Sequence, residues 1–358
     1  MSKIHKKGRG SQINPKNRFE RYKVEVEEEY LNYLDKEHEL SVIENVQSKF
    51  IEVFPKKIIN EVKSKDIPFG YSMNPYQGCE HGCSYCYARE THEYWGYSSG
   101  TDFEQTILVK KTAPKILKET LSNKKWKAMP IMLSGNTDCY QPIERKLNVT
   151  RALIQLLVQC NHPVSIITKN ALILRDLDVL RELSEKRLVK VSISITTLDD
   201  TLRNKLEPRT SSVKNKLKTI EILSNNNIPV NIMMAPIIPG LTDEEIMEMA
   251  KVTSELGALN FNYTILRTNG PIEHIFRNWL EQHFPDKMKK IVHLTQQVHS
   301  GNMENRNQTT RMSGTGIYAK HIKRIVELAR AKYFHDREMP TLETDKFKPF
   351  SDQLSLEI

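Results

Sequence analysis

Nothing in this chain of 358 residues approaches the ~18 consecutive apolar residues of a membrane span. Its charged N-terminus lacks the apolar core of a secretory signal. Cysteine is scarce: five in all, an odd number, with three packed into the stretch from Cys79 to Cys86. That pattern excludes a disulfide framework and makes a reducing, cytoplasmic setting the expectation. No Gly-x-Gly-x-x-Gly follows an apolar run, which counts against a dinucleotide-binding Rossmann unit. What is present suffices for a large core, since 39% of residues are apolar and 27% charged.

The net charge of +9 is unevenly placed. Residues 1–23 carry eight basic side chains against Glu20 alone, and residues 24–40 carry seven acids against Lys36. A basic arm followed by an acidic block reads as a solvated leader. The Gly- and Pro-containing start (Gly8 to Pro15) predicts disorder over about the first 20 residues. The basic remainder of the chain makes a nucleic acid the substrate class to consider.

From about Ile67 the pattern alternates. Short strands are predicted over Tyr71–Met73, Pro130–Leu133, Val164–Thr168, Val189–Ile195, Val230–Ala235 and Asn260–Leu266. Helices are predicted over Ala113–Leu121, Val149–Cys160, Arg175–Lys186, Ser211–Ser224 and Thr242–Leu256. Short, apolar strands separated by helices read as a parallel sheet buried on both faces, either doubly wound or closed toward a barrel. In both, chemistry belongs at the carboxyl ends of the strands. Polar residues gather there: Ser134-Gly135-Asn136-Thr137-Asp138, then Lys169, then Ser192, Ser194 and Thr196 on one face, then Ile237 and Ile238 between prolines, then Arg267. The expected organisation is a leader over 1–66, a core over 67–270, a helical extension over 271–340 and a loose tail over 341–358.

The centre of interest is Gly78-Cys79-Glu80-His81-Gly82-Cys83-Ser84-Tyr85-Cys86-Tyr87. Three thiolates so close repel unless a metal neutralises them. Without a nearby fourth cysteine they do not suit a closed four-thiolate site, whereas an open metal position suits catalysis. The alternative is zinc, with His81 or His92 as fourth ligand, in a non-catalytic protein that binds nucleic acid through its basic surface.

This Cys-x3-Cys-x-aromatic-Cys loop resembles the signature of the radical S-adenosylmethionine (radical SAM) superfamily. The resemblance implies a partial (β/α)6 TIM-like barrel with a helical C-terminal extension. It also implies a 4Fe–4S cluster held by Cys79, Cys83 and Cys86, and S-adenosylmethionine at the remaining iron. An electron donor such as flavodoxin or ferredoxin is implied as partner. From about Asn74 to Asn262 the chain is similar to the spore photoproduct lyase-like branch, through Asn74-Pro75-Tyr76, Thr168-Lys169, Glu207-Pro208-Arg209-Thr210 and Ala235-Pro236-Ile237-Ile238-Pro239-Gly240. That likeness implies cofactor contacts from Tyr85, Thr137, Asp138, Lys169, Ser194 (with Ser192 as the alternative) and Ile238. One departure stands out. Where spore photoproduct lyases have a hydrogen-donating cysteine shortly before the Thr-Asp pair, this chain has Gly135, and the nearest thiol is Cys139 on the other side. Repair of the spore lesion is therefore not expected, and Cys139 is the candidate donor, with a buried structural thiol as the alternative reading. Arg89, His92, Tyr94 and Trp95 follow the loop and are expected either to line an entrance to the substrate or to pack as an ordinary aromatic cluster, while Cys160 is expected in the core.

Overall fold

The computed structural model describes residues 6–19, 47–67 and 70–350. The acidic block of residues 24–40 lies outside the described residues.

Among the described residues, ten strands form two sheets. They are β1 (Lys49–Glu52), β2 (Ile59–Glu61), β3 (Tyr71–Met73), β4 (Tyr76–Gln77), β5 (Thr106–Val109), β6 (Ile131–Leu133), β7 (Val164–Thr168), β8 (Val189–Ser194), β9 (Val230–Ile237) and β10 (Asn260–Ile265). The larger sheet runs β10-β9-β8-β7-β6-β3-β2, and all its pairings are parallel except that of the edge strand β2 with β3. Each strand from β3 to β10 thus lies beside its predecessor in the sheet. A doubly wound sheet reverses its strand order at a switch point. This one never does, so it is singly wound, a partial barrel of six parallel strands.

The helices between these strands lie where apolar periodicity places them: Ala113–Leu121, Val149–Gln159, Leu177–Glu185, Val213–Asn225 and Ile246–Glu255. In helix Val149–Gln159, Val149, Leu153, Ile154 and Leu157 are buried, one stripe at helical spacing. The strands are apolar on one face and not, as expected, on both: Val189, Val191 and Ile193 of β8 lie beside Val230 and Ile232 of β9 in a single core, while Lys190 and Ser192 alternate onto the half-buried face. A smaller sheet of order β1-β5-β4 carries the cysteine loop out of β4. Helices Pro271–His283, Pro285–Val298 and Gly316–Tyr333 form the C-terminal extension. No helix among the described residues is long and apolar enough to cross a membrane.

Two segments differ from the expectation of looseness. Residues 6–19 lie against the body, with Ser11 and Asn17 buried. The amides of Gly10 and Ser11 donate to the carboxylate of Glu104 at 3.1 and 2.8 Å, a long-range contact that local composition does not encode. Residues 341–350 also run along the core. Leu342 is buried, Phe347 and Phe350 pack on the core, and the amides of Lys348 and Phe350 donate to Cys160 and Leu121.

Candidate active site

The cysteine loop is shaped by two glycines in the left-handed region, Gly78 (φ 81°) and Gly82 (φ 66°). A Cβ on Gly78 would meet the Thr106 carbonyl at 2.8 Å, and one on Gly82 the Glu104 carboxylate at 2.8 Å. Both positions therefore demand glycine. Behind the loop stands Arg89, fully buried. It donates to the carbonyl of Cys83 at 2.8 and 3.0 Å, to those of Ser99 and Gly100 at 3.1 and 2.8 Å, and to Glu104. Glu104 is buried too, and its oxygens also receive the two amides from the N-terminal segment. A buried ion pair is tolerable only when its remaining donors and acceptors are used, as here. Arg89 is thus the strut of the loop and not an entrance residue. His92 is buried with it, whereas Tyr94 and Trp95 are exposed.

The three loop cysteines are free thiols; Cys79 and Cys83 are buried and Cys86 is half-buried. Burial raises the Cys83 thiol well above its ordinary value, and burial followed by the Cys79 charge pushes Cys86 up to about 11. Thiols so placed ionise only beside a cationic metal. Among the described residues no three His, Cys, Asp or Glu side chains are placed to hold a single metal ion between them. An iron–sulfur cubane is wider than an ion and takes each thiolate on its own iron. The free thiols of one glycine-shaped loop fit that group.

At the carboxyl ends of β7 and β8 lies a buried polar cluster. The Lys169 ammonium donates to Ser194 Oγ (2.8 Å), Glu207 Oε1 (2.9 Å), Thr196 Oγ1 (3.3 Å) and the Ala235 carbonyl (3.2 Å). Glu207, fully buried, also receives Lys216 Nζ at 2.8 Å, Thr196 Oγ1 at 2.6 Å and the Tyr85 hydroxyl. Lys169 also stands 5.6 Å from the centre of the Tyr85 ring. Burial alone would raise the Glu207 carboxyl, but the two lysine charges hold it well below the carboxylate range. Two ammonium groups thus share one carboxylate, leaving one positive charge in the cluster. Lys169 is the more accessible of the pair, at 15% side-chain exposure against 1% for Lys216.

Asp138 ties this cluster to the loop. Its carboxylate accepts from Thr168 Oγ1 (2.8 Å), the Lys169 amide (2.8 Å) and the Tyr140 amide (2.8 Å), and faces His81 Nδ1 at 3.3 Å. Burial would lower the His81 imidazole, yet the Asp138 charge, with that of Cys79, raises it to about 10. Thr137 is buried and its hydroxyl donates to the Tyr76 carbonyl at 2.8 Å. Ile238 is buried against Cys83, Tyr85 and Leu266. Ser192 Oγ instead accepts from Asn231 Nδ2 at 3.0 Å, so Ser194 alone of the two serines meets Lys169. Cys139 is fully buried in the main core, its thiol raised by burial, and Cys160 shares that core.

Lys216 is absent from the residues that the sequence singles out, and Glu207 stands there only within the motif Glu207-Pro208-Arg209-Thr210. A signal existed. Lys216 sits on the apolar stripe of helix Val213–Asn225, with Val213, Ile220 and Leu223, where a lysine needs a buried partner.

A family model described as the radical SAM superfamily matches residues 73–253. An uncharacterized protein of Mycobacterium tuberculosis is 31% identical over 244 residues, covering 67% of this chain and 72% of that protein. An uncharacterized protein of Methanocaldococcus jannaschii is 29% identical over 252 residues, covering 70% and 90%. Among solved structures, a spore photoproduct lyase variant superposes with TM-score 0.56 at 15% identity, covering 88% of this chain and 85% of that one. Another variant, with bound AdoMet and dinucleoside spore photoproduct, gives 0.54 at 15% identity over the same shares. At such identity these two structures show the fold.

Proposed function

The chain belongs to the radical SAM superfamily and is an enzyme of that family, and from this we propose that Cys79, Cys83 and Cys86 hold a 4Fe–4S cluster that binds S-adenosylmethionine at its open iron. The chemistry such a cluster supplies is one-electron reductive cleavage of the sulfonium to methionine and a 5′-deoxyadenosyl radical, which takes a hydrogen atom from the substrate. The observation that carries the reading is the set of three free thiols on one glycine-shaped loop at the carboxyl ends of the parallel strands.

The chain's own residues do the positioning. The uncompensated positive charge of the Lys169–Glu207–Lys216 cluster matches one carboxylate, and Lys169, with Ser194 beside it, can present that charge to the amino-acid end of S-adenosylmethionine. Tyr85 is held by Glu207 and Thr196 directly before the third cysteine, fixing the loop against the cluster of charges. Asp138 and Thr137 act through the backbone they hold, Asp138 the Lys169 amide just past β7 and Thr137 the Tyr76 carbonyl of β4. Ile238 gives the apolar wall an adenine needs. The burial of Cys139 in the main core supports packing and not hydrogen donation. The electron comes from an external donor of the flavodoxin or ferredoxin kind. A nucleic-acid substrate is supported by the net charge of +9.

The test is direct. Cluster-loaded protein, given dithionite and S-adenosylmethionine without oxygen, should form 5′-deoxyadenosine and methionine. Protein with a full cluster that forms neither would overturn the proposal.

A further inference from the structure

Four arginines stand around the open end of the strands, and three have carboxylates. Arg18 meets Glu93 at 2.6 Å, Arg306 meets Glu90 at 3.1 Å, and Arg311 meets Asp66 at 2.7 Å. Arg267 does not. It is partly buried, yet it makes no hydrogen bond or ion pair among the described residues; its recorded contact is with the face of Tyr87, 5.8 Å from guanidinium carbon to ring centroid. Taking an arginine partly out of water without a partner is costly, and such groups are as a rule paired. Burial and then the charge of Arg311 act against its protonated form, and Tyr87, Asp66 and Glu90 offset them only in part.

Position gives this orphan charge a meaning. Arg267 lies two residues past β10, where the amide of Leu266 still donates to the Ile237 carbonyl at the end of β9. Tyr87 follows the third loop cysteine, is half exposed, and donates its hydroxyl to the Gly135 carbonyl at 2.6 Å past the end of β6. The ring therefore bridges the cysteine loop and the second barrel strand, with the guanidinium over it from the last strand. Lys169 and Ser194 serve β7 and β8, with β9 between them and β10, the strand that leads to Arg267. In the proposed reading Lys169 takes the carboxylate of S-adenosylmethionine, which leaves Arg267 for another anion.

We infer that Arg267, seated on Tyr87, receives an oxyanionic group of the substrate, a phosphate ester or its equivalent, and so selects anionic substrates. This rests on the reading of the strand ends as the active site, but its test needs no turnover. Holoprotein, with and without S-adenosylmethionine, is titrated calorimetrically with glycerol 3-phosphate as probe and glycerol as neutral control. Wild-type protein should bind the phosphate saturably and ignore glycerol. Arg267→Gln should bind it at least about tenfold more weakly, Arg267→Lys should fall between, and all three should bind S-adenosylmethionine equally. Unliganded Arg267→Gln should melt within about 2 °C of wild type, because only the contact with the Tyr87 ring is lost; an arginine whose role is structural would lower the melting temperature by more than that. Equal phosphate affinity in wild type and Arg267→Gln, or no saturable binding in wild type, would overturn the inference. Loss of S-adenosylmethionine affinity in Arg267→Gln would overturn it too, by assigning the guanidinium to the cofactor's carboxylate. Should deoxyadenosine formation fail while phosphate binding follows this pattern, only the reading of the chemistry falls.

Discussion

Glu207→Gln is the perturbation whose size follows most closely from the structure. The wild-type carboxylate is fully buried and holds Lys169 at 2.9 Å and Lys216 at 2.8 Å. The neutral amide keeps the shape but leaves Lys216, itself almost fully buried, without a counter-charge. Breaking one side of a buried ion pair costs about 3–5 kcal/mol. At ~2 °C per kcal/mol for a chain of this size, the melting temperature should fall by about 6–10 °C. Equilibrium denaturation of the cluster-free protein under reducing conditions is the assay. The reasoning carries an internal check, since Glu207→Gln/Lys216→Met removes one charge of each sign and should recover much of the loss. A single variant within about 1 kcal/mol of wild type, or a double variant no better than the single, would show that the pair is not the electrostatic unit described.

Other outcomes are expected from the same physics. Cys83→Ala should lose iron and sulfide after anaerobic reconstitution, because each thiolate is one of three anchors; full iron content would place the cluster elsewhere. Lys169→Ala should keep its brown chromophore yet bind S-adenosylmethionine at least about tenfold more weakly, and equal iron loss in both variants would refute the lysine assignment. His162 provides a pH signature away from the site. Its Nε2 accepts from Trp126 Nε1 at 2.9 Å and its Nδ1 faces the Pro163 carbonyl at 3.0 Å, so the buried ring is neutral. Burial lowers it to about 4, against an ordinary value of 6.5. The unfolded chain then binds the extra proton between those values, so stability is full above pH 6.5 and falls by about 3 kcal/mol as the pH drops to 4. His162→Gln should flatten that slope when unfolding is measured from pH 7.5 to 4.5, and an unchanged slope would assign it to other groups.

The barrel was legible because its strands alternate with helices along the chain. Val164 and Ile166 of β7 and Val189, Val191 and Ile193 of β8 are buried at every second position, and the chain order alone gives the neighbouring strands. The convergence of Lys169 and Ser194 was legible for the same reason, since both end parallel strands. Strands β1, β2, β4 and β5 are two to four residues long and lack such a context. Arg89 shows the limit of local reading. An arginine after a cysteine loop reads as an entrance residue, and only the pairing with Glu104, fifteen residues on, makes it a strut. The anchoring of Gly10 and Ser11 on that same Glu104 spans more than ninety residues and leaves no periodic trace. Lys216 was readable in principle, as a charge on an apolar helical stripe.

The central claim is that three thiolates leave one iron open for S-adenosylmethionine, and Mössbauer spectroscopy of anaerobically purified, iron-57-loaded protein tests it most directly. The expected result is a cluster of about four irons in which one differs from the rest and shifts when S-adenosylmethionine is added. Four irons that do not respond, or a protein that holds zinc and no iron, would contradict it.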